Sequence, residues 1–138
     1  MFEGHMIESS DFSLLLSCVK QKNMDRIITS QESVVWYLRR HSPEVFMEMM
    51  SKLLSDDRWS DNIEFIVFNV NEKTKTIVEV YVGMHNNSAQ AVELTIMNKT
   101  EFIDVIKAVT KSMVRKFPDH RFQLRELRDS LVLRLQGR

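Results

Sequence analysis

A chain of 138 residues, 43% apolar and 28% charged, is long enough for one domain with a core that needs neither disulfides nor metal. Three Gly, two Pro and a single cysteine exclude a disordered linker, a disulfide framework and a cysteine-rich zinc site. Basic and acidic residues balance at 19 each, but residues 107–138 hold nine basic residues against three acids, a formal +6, which leaves −6 on residues 1–106. Such asymmetry between parts of a chain points to an anionic partner or to internal neutralisation.

Residues 1–8 are expected to be flexible or vector-derived, because Gly4-His5-Met6 reads as a cloning remnant. Residues 9–57 read as a helical layer. Ser10 or Asp11 can cap a first helix, with Phe12, Leu15, Leu16 and Val19 on one face. Cys18 lies in that apolar run and reads as a buried, inert thiol. No stretch reaches the ~20 apolar residues of a membrane span, and acids precede the first apolar run, so an intracellular, cytoplasmic location is expected.

Thr29 and Glu32 form a capping box for a second helix running to about His41. Ser42-Pro43-Glu44 opens a third, with Phe46, Met49, Met50 and Leu53 on its buried face and a stop by Asp56-Asp57. The tight junction between the two invites a helix-turn-helix reading. Glu44 and Glu48 oppose it, since they would repel phosphates. Met47 and Met50 offer a second reading of this helix as an adaptable partner groove.

Residues 62–138 read as the sheet-plus-helix core. Strands are predicted near 62–70, 75–84 and 91–97, the first apolar on both sides and therefore central. In the third, Val92, Leu94 and Ile96 are expected to point inward. Asn98 with Glu101 caps a long helix over about 99–117, with Phe102, Val105, Ile106, Val109 and Met113 on its apolar face. Ile103, Thr110 and Val114 form a weaker stripe that needs a cover, either other helices or a second subunit. In the tail, alternation of Phe122 and Leu124 with Arg121, Gln123 and Arg125, and of Leu131, Leu133 and Leu135 with Arg134, predicts two strands. The alternative is one helix using Leu124, Leu127, Leu131 and Leu135.

The resulting architecture is α+β: two or three N-terminal helices, then β-β-β-α-β-β, with an antiparallel sheet covered on one face by the long helix. The order of helix, three strands, helix and two strands resembles small secretion chaperones of the type III systems.

No residues suited to catalysis, cofactor binding or metal ligation stand at productive spacing. The four histidines lie apart from one another, there is no Gly-rich phosphate loop, and Asp56, Asp57 and Asp61 read as a solvated loop. The expected function is therefore a small non-catalytic protein-interaction module, an adaptor, inhibitor or chaperone-like protein, homodimeric through the Ile103–Thr110–Val114 stripe. The alternative is a nucleic-acid-binding regulator whose polyanion contacts would be Lys107, Lys111, Arg115, Lys116, Arg121, Arg125, Arg128 and Arg134.

Overall fold

The computed structural model describes residues 31–61, 63–85 and 91–137. The predicted first helix, Cys18 and the Thr29 cap lie outside the described residues. Two helices lead, α1 (Gln31–Arg39) and α2 (Pro43–Ser55). Four strands follow, β1 (Arg58–Ser60), β2 (Glu64–Val70), β3 (Ile77–His85) and β4 (Ala91–Asn98). The chain then forms α3 (Lys99–Lys116), a 3-10 turn at Pro118–His120 and α4 (Arg121–Leu135). The strands make one antiparallel sheet in the order β1-β2-β3-β4.

Local chemistry sets the element ends. The Ser42 hydroxyl accepts from Val45 N–H at 3.2 Å and Pro43 occupies the first turn of α2. At α3 both halves of the capping box form: Glu101 N–H donates to Asn98 Oδ1 at 2.8 Å, and Asn98 N–H donates to Glu101 Oε1 at 2.9 Å. Pro118 cannot continue α3. The 3-10 turn instead folds the chain back, so that α4 packs against both α3 and α2.

The helices cover one face of the sheet. Ile66, Phe68, Val80, Val82 and Met97 meet Phe46, Met49, Phe102, Ile106, Val109 and Leu131 in a single apolar core. β2 is central, and both its faces are buried: Phe65 and Val67 on the side away from the helices are as enclosed as Ile66 and Phe68. The third predicted strand forms with its faces exchanged. Thr95 and Met97 turn toward the helices, while Leu94 and Ile96 share the opposite face with Phe65 and Tyr81.

Two expectations are corrected. The segment Arg58–Ser60, read as part of a loop, pairs with β2 as a short edge strand. The tail is one helix, not two strands. Leu124, Leu131 and Leu135 are fully buried on one face, whereas Phe122 and Leu133, needed by the alternating pattern, are 75% and 49% exposed. The β-β ending that supported the likeness to type III secretion chaperones is therefore absent from this fold.

Candidate functional site

The basic residues of α3 and α4 make the most distinctive surface among the described residues. On α3, Lys107 and Lys111 stand one turn apart on the outer face, opposite the buried Phe102, Val105, Ile106 and Val109. On α4, Arg125 and Arg128 lie beside the buried stripe of Leu124 and Leu131, on the flank that meets α3. Because the 3-10 turn folds α4 back along α3, these four cations line one groove of about 500 Å³, with Val114 as its apolar wall. Asp129 is the acid at this groove and is held by Arg128, whose Nε donates to Asp129 Oδ1 at 2.8 Å. Lys107, Lys111 and Arg125 have no hydrogen-bond or ion-pair partner among the described residues.

The remaining predicted contacts divide. Arg115 is exposed one turn beyond Lys111. Lys116 lies in a different cleft, against α1. Arg121 stands over its neighbour Phe122, 5.4 Å from the ring centroid. Arg134 belongs to the framework. It donates to the backbone oxygens of Leu53 and Asp56 at the end of α2, pairs with the Asp57 carboxylate, and lies 5.2 Å from the Phe68 ring centroid. A guanidinium with its donors so occupied has little left for a polyanion.

The stripe expected to need a cover from other helices or a second subunit is filled within the chain. Thr110 is fully buried and Ile103 nearly so, and Val114 packs against the core from the groove. Met50 is fully buried and Met47 packs against the core, so α2 carries core methionines rather than an open groove.

A polar cluster that periodicity could not reveal sits where the α1–α2 corner meets the start of β2. Glu64 is 6% exposed on the helix-facing side of the sheet. Arg40 donates to its Oε2 at 2.7 Å, and His41 Nε2 lies 2.6 Å from Oε1. The hydrogen bond to Glu64 raises the His41 pKa above its ordinary 6.5; burial works against that rise, and the charges of Glu64 and Asp61 add to it. The acids of the 56–61 segment also have structural uses. Burial pushes the Asp56 carboxyl up, but the Lys52 ammonium at 3.0 Å and the Asp57 N–H at 2.7 Å outweigh it and hold the carboxyl below its usual range. Asp61 Oδ1 accepts from Ile63 and Glu64 N–H.

Ligand atoms of His41, Asp61 and Glu64 lie within 4.8 Å of one another, close enough to surround an ion. The Arg40 guanidinium on Glu64 places a full positive charge beside that point and opposes a cation. The cluster is better described as a buried carboxylate neutralised by two bases. Among the described residues, no helix is long and apolar enough to cross a membrane.

Comparison with protein-family models, curated proteins and solved structures finds no match.

Proposed function

We propose that this protein is a non-catalytic interaction module that takes an acidic segment of a partner protein in the groove between α3 and α4. The observation that carries this reading is the convergence of Lys107 and Lys111 with Arg125 and Arg128 on one groove with an apolar wall at Val114. Arg128 is shared with Asp129, but the alignment of the unpartnered Lys107, Lys111 and Arg125 creates a field that draws in and orients an anion. Successive lysines on α3 are about 6 Å apart along the axis. Alternate side chains of an extended peptide are about 6.6 Å apart, so an acidic strand can match that row.

The apolar wall favours a peptide with a hydrophobic residue among its acids. Duplex nucleic acid would need a broad cationic surface, whereas these cations line a single groove. Single strands would need aromatic platforms, and among the described residues no aromatic side chain lines this groove. A nucleic-acid reading keeps one supporting observation: exposed Arg115 extends the row of Lys107 and Lys111 along α3.

The test is fluorescence anisotropy with a labelled Glu-rich peptide carrying one central leucine, run beside a labelled DNA duplex and a single strand at low salt. The peptide is expected to bind, and Lys107→Glu with Arg125→Glu to abolish binding without changing the circular dichroism spectrum. Tighter binding of either nucleic acid would transfer the groove to the second reading. No binding of any of the three would remove both.

A further inference from the structure

A second cationic site lies outside the α3–α4 groove, at the corner where the last turns of α1 and α3 meet. It is a cleft of about 380 Å³. Trp36, Arg39, His41, Ser112, Lys116 and Phe117 line it together with Arg40, and among the described residues no acidic side chain does. Arg39 and Lys116 have no hydrogen-bond or ion-pair partner among the described residues.

Basic residues in a last helical turn commonly answer the helix dipole, and that accounts for part of the charge here. Two helix C-termini supply roughly −0.5 each, about one negative charge together. Glu64, shared between Arg40 and His41, supplies one more, and Asp61 beside His41 supplies another. Against these stand Arg39, Arg40, Lys116 and His41, whose raised pKa favours its protonated form. Among the described residues the cleft therefore keeps a small excess of positive charge.

Its second property is aromatic. Trp36 is 55% exposed, the reverse of what such a side chain does when it serves only packing. The ring is nevertheless held in place: the Arg40 guanidinium lies 4.8 Å from its centroid and Tyr37 meets it edge-on at 5.8 Å. Phe117 adds a second exposed ring to the same cleft.

A positioned aromatic surface beside two unpaired cations is chemistry for a flat ring carrying a phosphate. Arg39 can grip phosphate oxygens with its fork of donors, Lys116 adds a mobile point charge, and the Ser112 hydroxyl lies within the same walls. The volume stands at the small end of the ~300–1,000 Å³ range of ligand clefts, enough for one ring system and one phosphate. The geometry points to a binding site for a small aromatic phosphate ester, of the size of a nucleoside monophosphate. This site is independent of the acidic-peptide groove and uses none of its four cations.

Trp36, the exposed tryptophan in the cleft wall, is itself a reporter. Adenosine 5′-monophosphate, uridine 5′-monophosphate, adenosine and inorganic phosphate are each titrated against the intact protein while tryptophan fluorescence is followed, and equilibrium dialysis provides an optics-independent check. Saturable binding of at least one monophosphate with a Kd below about 1 mM is expected. Adenosine alone and phosphate alone should each bind about tenfold more weakly or less, because each lacks half of the contacts. Arg39→Ala with Lys116→Ala should weaken monophosphate binding by at least about tenfold, whereas Lys107→Ala with Lys111→Ala should leave it unchanged. No saturable binding of either monophosphate overturns the inference. So does inorganic phosphate binding as tightly as its esters, since the rings would then play no part.

Discussion

Arg134, near the end of the chain, closes the end of α2 by donating to the backbone oxygen of Asp56 at 2.7 Å. Residues 78 positions apart are thereby joined at a helix terminus whose last carbonyls would otherwise lack partners. The same guanidinium also meets Leu53 and Asp57 and stands beside Phe68, so it ties α4, α2 and β2 together.

Replacing Arg134 should therefore change stability and leave binding alone. Arg134→Ala strands the carbonyls of Leu53 and Asp56, and a cost of about 1–3 kcal/mol is expected from the loss of charge-assisted hydrogen bonds. Arg134→Lys should recover only part of it, because an ammonium cannot reproduce the fork. Urea denaturation measures both variants. An unchanged midpoint for Arg134→Ala would show that the bridge contributes nothing.

The pairing of His41 with Glu64 implies a pH-dependent contribution to stability. The folded state raises the His41 pKa above 6.5, so it holds a proton more tightly than the unfolded chain does. The contribution is fully present below the unfolded pKa and is lost as pH rises through the folded value. The melting-temperature gap between the native protein and His41→Gln should thus be widest below pH 6.5 and should narrow as pH rises above it. Parallel melting curves across that range would remove the charged pairing.

Thr110 offers a gain of stability. Its hydroxyl is fully buried in α3 without a hydrogen-bond partner among the described residues. Thr110→Val keeps the shape and removes the unmet polar group, so an increase of about 1 kcal/mol is expected. A loss of stability in urea denaturation would mean that the hydroxyl is satisfied after all.

Features with a local cause were legible in the sequence. The Asn98–Glu101 box and the Ser42-Pro43 start mark helix ends through contacts only three residues apart. The apolar run over 65–68 marks a strand buried on both faces. The tail deceived because leucines recur both at alternate positions and at helical spacing. Its abundance of Leu, Arg, Gln and Glu, with Val132 as its one β-branched residue, was the signal for a helix.

That single difference also decided how the candidate site could be read. As strands, residues 121–136 would place Arg125 across the sheet from Lys111. As a helix they bring Arg125 and Arg128 to the groove of Lys107 and Lys111. The basic bias was visible in composition, but its convergence was not. Arg134 looked like one more cation of the set because its partners, Leu53, Asp56 and Asp57, are distant in sequence. Glu64 with Arg40 and His41 was hidden for the same reason, as the pairs span 24 and 23 positions.

The groove is tested most directly by amide shift mapping, in which the unlabelled Glu-rich peptide is added to uniformly ¹⁵N-labelled protein at low salt. The largest perturbations are expected on Lys107, Lys111, Val114, Arg125 and Arg128, fading as salt is added. Perturbations confined to the sheet face of Tyr81 and Leu94, or no perturbation at all, would contradict this role for the groove.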